Sequence, residues 1–135
     1  MAFKEKLCFC HSGKPYENCC KAFHEGKTPS TALELMRSRY AAYALGKVEY
    51  ILETTHSNHV DSKKDITERK EEIKIFCQFT QFVGLEILSF EEGEYISSVT
   101  FRASLLQKGK DVSFTEKSFF EKVQGRWLYV RGTIL

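Results

Sequence analysis

Four of the chain's five cysteines fall within thirteen residues: Cys8-Phe-Cys10-His-Ser-Gly-Lys-Pro-Tyr-Glu-Asn-Cys19-Cys20. This cluster limits what the N-terminal segment can become. The segment has few large apolar side chains and cannot fold by burial alone. Ordering about thirteen residues costs on the order of 13–26 kcal/mol of backbone entropy. A bridge between the adjacent Cys19 and Cys20 would be strained. Four thiolates, by contrast, complete one tetrahedral metal shell. Metal binding contributes roughly 10–16 kcal/mol in small zinc peptides, so contacts to the rest of the chain should complete the ordering. Ser12-Gly13-Lys14-Pro15 supplies the reversal that brings the two pairs together. The expected ligands are Cys8, Cys10, Cys19 and Cys20, around zinc or, because thiolate-rich sites also accept it, iron. A closed four-thiolate shell leaves no position for water, so the metal is expected to be structural. His11 and His24 are expected at the surface rather than as replacement ligands. Cys77, in an apolar stretch, reads as a small core residue.

The reading of the cysteines as metal ligands rather than disulfides rests on compartment. Met1-Ala-Phe-Lys-Glu-Lys6 lacks the apolar run of a secretory signal, and no stretch approaches the roughly 18 apolar residues of a membrane span. A cytoplasmic protein with no membrane contact is expected. The formal charge of +2 is too small to mark a nucleic-acid binder, but residues 1–27 carry five lysines and three acids, so the whole excess lies beside the cysteines. That placement suits docking of an acidic partner, with solvated lysines as the plainer alternative.

Beyond Thr31 the pattern turns helical. Thr31-x-x-Glu34 fits a capping box, Gly46 a C-terminal stop, and Leu33, Met36, Tyr40 and Tyr43 an apolar stripe. A short second helix spans about Val48 to Glu53. Asp65 caps a third, which runs through Ile73, Phe76 and Cys77 toward Phe79. After Phe82 the apolar period becomes two, in four runs separated by Glu92-Gly93, Lys108-Gly109-Lys110 and Gln124-Gly125. The last run sets Trp127, Tyr129 and Arg131 on one face against Leu128 and Val130. Three helices followed by a four-strand antiparallel meander is an α+β arrangement.

The cysteine segment, on Cys8, Cys10, Ser12-Gly13-Lys14, Tyr16, Cys19 and Cys20, resembles the SEC-C motif, a small bacterial metal-binding module. Through Leu35-Met36-Arg37-Ser38-Arg39-Tyr40-Ala41-Ala42-Tyr43 and the closing Gly125-Arg-Trp-Leu-Tyr-Val-Arg-Gly132, the chain resembles the YchJ family of uncharacterised bacterial proteins. The resemblance implies a nuclear-transport-factor-2-like cone, a curved sheet wrapped around a long helix, over residues 28–135, preceded by the metal module over 1–27. This chain has His11 where the family typically has Gly, Thr55-His56 where it has Trp-His, and Thr115-Glu116 where it often has His-Glu.

Thirteen per cent of the chain is aromatic, with 11 Phe and 6 Tyr, enough to line a cavity. Glu116 shares strand parity with Val112, Phe114 and Phe120. If that face is inward, its carboxylate enters an aromatic interior and needs a partner. Arg39, Tyr40, Tyr43 and His56 are the expected neighbours. A structural ion pair with an arginine, or exposure of Glu116, are the alternatives. Trp127 and Tyr129 beside Arg126 and Arg131 could instead form a stacking platform for single-stranded nucleic acid, although an aromatic pair completing the cone is the commoner arrangement, and no specific nucleic acid is expected. No catalytic motif is evident, and enzymatic activity is not the expectation. Two functions remain. The first is a non-catalytic adaptor whose zinc module docks a protein or ribonucleoprotein partner through residues 1–27. The second is a small-molecule or enzymatic pocket inside the cone, centred on Glu116 and His56.

Overall fold

A computed structural model describes residues 6–135. Lys4, counted above in the basic patch, lies outside the described residues. The N-terminal segment doubles back through a bridge between Leu7 and Pro15, passes a 3-10 turn at Tyr16–Asn18, and ends in the one-turn helix α1 (Lys21–His24). Helices α2 (Ala32–Leu45), α3 (Val48–Glu53) and α4 (Ile66–Phe79) follow. The strands are β1 (Gln81–Glu91), β2 (Ile96–Gln107), the two-residue β3 (Lys110–Asp111), β4 (Phe114–Val123) and β5 (Arg126–Ile134). They form an antiparallel sheet in the order β1-β2-β4-β5, with β3 on β2.

The expected caps are present. Thr31 accepts the Glu34 N–H at 3.1 Å, the Glu34 carboxylate accepts the Ser30 N–H at 2.9 Å, and Gly46 adopts φ 71°. Asp65 accepts the Thr67 N–H at 2.7 Å. The left-handed glycine lets the chain leave α2 and enter α3 after only two residues, Gly46 and Lys47.

Helix α2 is buried on more than the one predicted stripe. Leu35, Met36, Ser38, Arg39, Tyr40, Ala41 and Ala42 are all buried, because the helix is the axis around which the other parts assemble. Its Met36 and Tyr40 pack with Val99, Phe101, Ala103, Leu105, Phe120 and Trp127 of the sheet. Ala41 packs against the cysteines, and Ala42 against Tyr50 and Ile51 of α3. Cys77 is half-buried against this last group, a packing residue as expected.

Two strand assignments need correction. Val112 lies outside β4 and is exposed, because Ser113 turns the chain, its N–H held by the Asp111 carboxylate and its hydroxyl by the Leu105 backbone. Between β4 and β5 a bulge shifts the register, so that Phe120 faces Tyr129 while Phe119 faces Arg131. Trp127 and Tyr129 therefore share the inward face, and Arg131 turns outward to lie over the Phe119 ring at 4.2 Å. Strict alternation cannot anticipate a bulge, which flips parity from one residue onward.

Candidate metal centre and cone cavity

The bridge and turn of the N-terminal segment bring the two cysteine pairs together. The Cys8 N–H donates to the Lys14 carbonyl at 2.8 Å and the Tyr16 N–H to the Lys6 carbonyl at 2.9 Å, closing a small hairpin that carries Cys8 and Cys10. Cys19 and Cys20 enter from the turn before α1. All four Sγ atoms lie within 4.8 Å of one another, with Cys10–Cys19 at 3.5 Å and Cys19–Cys20 at 3.9 Å. The edge of a sulfur tetrahedron with metal–sulfur bonds of about 2.3 Å is about 3.8 Å, so the thiols already stand at the spacing a tetrahedral ion requires.

Their chemistry fits the same reading. Hydrogen bonding from Cys20 and Cys8 holds the Cys10 thiol far below its usual range, while Cys20 is pushed up by the same contact with Cys10. Cys8 is pushed up to about 11, chiefly by its hydrogen bond with Cys10. A cluster sharing protons in this way exchanges them for one cation. Ser12 Oγ lies 3.2 Å from Cys19 Sγ and can donate to a thiolate there, the kind of outer contact that orients a ligand. Neither histidine joins the set. His11 is exposed, at φ 60° in the left-handed region, where a glycine would be unstrained.

His24 departs from the expected surface position. It is half-buried, with Nε2 2.8 Å from the Ser38 carbonyl and Nδ1 2.7 Å from the Tyr16 hydroxyl. The carbonyl can only accept, which places the proton on Nε2 and makes Nδ1 the acceptor from Tyr16. Burial lowers its pKa, consistent with a neutral ring. Together with the Arg37 Nη1 bond to the Cys10 carbonyl at 2.9 Å, it ties the module to α2.

On the other side of α2 the cone encloses a cavity of about 370 Å3. Arg39, Tyr40, Tyr43 and Glu116 all line it, as anticipated. The Glu116 carboxylate points inward, and the alternative of an ion pair with an arginine is not what the structure shows. No lysine, arginine or histidine nitrogen among the described residues lies within 4.0 Å of it. Instead its Oε2 accepts a short hydrogen bond from Ser118 and another from the Tyr129 hydroxyl at 3.3 Å. Arg39 points its Nη1 at the Ile51 carbonyl (3.0 Å), Thr54 (2.7 Å) and Thr55 (3.1 Å), and lies 4.8 Å from the Tyr129 ring centre. Burial raises the Tyr129 phenol well above its usual range and Tyr40 to about 12, so both stay protonated donors.

His56 is not part of this group. Its Nδ1 accepts the Asn58 N–H at 2.9 Å and its Nε2 lies 3.4 Å from Glu121, while its backbone N–H pairs with the Tyr129 carbonyl along the edge of β5. It is a helix-end residue tying α3 to the sheet. The stacking-platform reading also fails geometrically, because Trp127 is buried with its indole N–H on the Ser30 carbonyl, and Tyr129 faces the cavity.

Three residues of the site went unread in the sequence. Ser118 could have been found, since it lies two positions from Glu116 on the same strand face. Tyr129 could also have been found, since it keeps the parity of Trp127; Gly132 could not, because the bulge decides which β5 residues beyond Tyr129 face inward. Gly132 lies opposite Ser118, and a Cβ built there would overlap the Glu116 carboxylate. The missing side chain at Gly132 is what gives the glutamate its place.

Comparison with known proteins agrees with this architecture. A family model described as "YchJ, middle NTF2-like domain" matches residues 31–132. A UPF0225 protein of Actinobacillus succinogenes is 35% identical over 131 residues, covering 95% of this chain and 82% of its own length. A UPF0225 protein of Streptomyces coelicolor is 36% identical over 132 residues, 95% of either chain. The solution structure of a SEC-C motif containing protein from Rhodopseudomonas palustris superposes with a TM-score of 0.78 at 30% identity, over 98% of this chain and 99% of that one. The crystal structure of a SEC-C motif containing protein from Psychrobacter arcticus superposes equally well, TM-score 0.78, over 98% of this chain and 84% of that one; at 24% identity it speaks to the fold alone.

Proposed function

We propose that this chain, which belongs to the YchJ family, is a small-molecule-binding protein whose cone is braced by a structural metal held by Cys8, Cys10, Cys19 and Cys20. The observation that carries the reading is the cavity of about 370 Å3 with the Glu116 carboxylate facing into it and free of any ion-pair partner among the described residues. That volume lies in the range of small-ligand sites, which combine an apolar lining with a few placed polar groups. The four-sulfur donor set favours zinc, with iron as the competing occupant. The metal's closed shell supplies cross-linking rather than chemistry. Among the described residues no helix is long and apolar enough to cross a membrane.

A fragment library titrated into the full chain and followed by two-dimensional NMR tests the reading. Hits should move the resonances of Phe101, Phe114 and Tyr129, and Ala103→Leu, which adds three carbons to the cavity wall, should weaken their binding while the protein still melts cooperatively. Hits that avoid those residues, or that bind Ala103→Leu as tightly as the parent chain, refute it.

A second reading, docking of a protein or ribonucleoprotein partner through the metal module, draws on one observation. Leu7 and Phe9 are exposed at 62% and 43%, and Lys6 and Lys14 lie exposed in the same hairpin. Charge reversal of Lys6, Lys14 and Lys21 should release an acidic partner if this surface binds one; partners unchanged by it would remove the reading.

A further inference from the structure

The chemistry of the cavity wall narrows what it can take. Resting on the reading of the cone as a binding site, we propose that its ligand is a small organic cation, an ammonium group on a compact apolar body.

Three features of the wall converge on that class. Rings dominate it. Tyr43, Phe76 and Phe82 meet edge-to-face or stacked, with centroids 5.7–6.4 Å apart. Phe101 and Phe114 pair at 6.2 Å across the sheet, and Phe120 and Tyr129 at 5.8 Å. Aromatic faces attract cations by about 2 kcal/mol where water is excluded.

The second feature is charge. Of the four ionisable acids and bases on the wall, Asp61, Glu72 and Glu116 are acidic and only Arg39 is basic. Lys64 pairs with both Asp61 at 3.4 Å and Glu72 at 3.1 Å, one cation against two carboxylates, so these two positions keep a net negative charge. Glu116 is the acid of the wall with no ion-pair partner among the described residues. The wall's one basic group, Arg39, commits its Nη1 to Ile51, Thr54 and Thr55 and lies 4.8 Å from the Tyr129 ring centre, so an anionic ligand would have only its remaining nitrogens to recruit.

The third feature is the carboxylate itself. Both protein donors, Ser118 and Tyr129, bind Oε2, so Oε1 has no hydrogen-bond partner among the described residues. It is also not sealed from solvent, since no buried polar side-chain atom among those residues lacks a partner. An ammonium N–H placed among the rings would complete it with a charge-assisted bond.

Three probes of closely similar size separate the outcomes: 2-phenylethylammonium, 2-phenylethanol and phenylacetate, each titrated into the full chain and followed by NMR. The ammonium should move the cavity resonances and bind about tenfold or more tighter than the alcohol, with phenylacetate weakest. Glu116→Gln should remove that advantage and leave alcohol binding unchanged. Tyr129→Phe, which keeps the carboxylate, should retain it and guards against a variant that fails to fold. Alcohol or phenylacetate binding as tightly as the ammonium overturns the cation inference and leaves the binding cavity standing. Binding of none of the three overturns both.

Discussion

Replacing Gly132 by alanine tests the geometry on which the cavity depends. A Cβ at this position overlaps the Glu116 carboxylate, which would have to leave its place and surrender the bonds from Ser118 and Tyr129. Hydrogen bonds to a charged group contribute about 1.5–3 kcal/mol each, and water recovers part of that at a half-exposed side chain, so the loss is about 2–3 kcal/mol. Alanine in place of glycine within a strand returns about 0.5–1 kcal/mol of backbone entropy. Gly132→Ala should therefore destabilise the protein by about 1–2 kcal/mol, a fall in Tm of roughly 3–10 °C for a domain of this size. In a Glu116→Ala background the obstruction is gone, and the same change should stabilise by about 0.5–1 kcal/mol. The sign reverses. Denaturant unfolding of the four proteins of this double-mutant cycle measures the coupling, expected at about 2–3 kcal/mol. If Gly132→Ala has the same effect in both backgrounds, Glu116 does not lie over Gly132, and the account of the cavity floor is wrong.

Purified without oxygen, the protein should carry one metal per chain, and Cys8→Ala or Cys19→Ala should each release it; metal analysis with X-ray absorption distinguishes zinc from iron, and full retention after both changes rules out the four-sulfur site. His11→Gly should stabilise by a few tenths to about 1 kcal/mol, because His11 sits at φ 60°, where a side chain is strained and glycine is not; a lower melting temperature would mean that its edge contact with Tyr40 matters more. His59 should titrate below its ordinary value, because burial lowers it and its Nδ1 accepts the Asp61 N–H at 3.1 Å. Its contribution to stability is present above an unfolded value of about 6.5 and is lost as pH falls through the lower folded value. NMR titration of its ring checks this, and a midpoint at or above about 6.5 contradicts it.

The legible parts of this molecule are those encoded locally. Cys8, Cys10, Cys19 and Cys20 lie close in sequence, and the demands of a metal shell leave few arrangements for them. The same is true of the Thr31 and Asp65 caps and of the Gly46 stop, each written within four residues. Glu116 was readable as inward because parity holds along β4 as far as the residues that matter. What was hidden depends on events between strands. The β4–β5 bulge turns Gly132 into the cavity and Arg131 out of it, while Tyr129 keeps the parity of Trp127, and nothing in Gly125–Gly132 taken alone marks where the extra residue falls. His56 misled because its segment follows the second helix, where the sequence pattern places the helical wall of the cavity. The turn at Thr55 pairs instead with the β5 edge, and the imidazole is taken by Asn58 and Glu121.

Helix α2 explains why a metal module and a cavity belong to one chain. Arg37, Ser38 and Ala41 lie on one face of it, and all three meet the module: Arg37 at the Cys10 carbonyl, the Ser38 carbonyl at His24, and Ala41 against the thiols. Met36, Arg39, Tyr40 and Tyr43 lie on the other face, and all four line the cavity. The periodicity of a helix makes this division automatic, since positions i, i+1 and i+4 point away from i−1, i+2, i+3 and i+6. A helix with a cavity on one side lacks packing there and would be free to shift into it. The cysteine segment holds its opposite face through two hydrogen bonds and a buried contact, and the packing runs without a break from that segment into the cone. A metal held by the four thiols would make that hold rigid and so keep the cavity wall from collapsing.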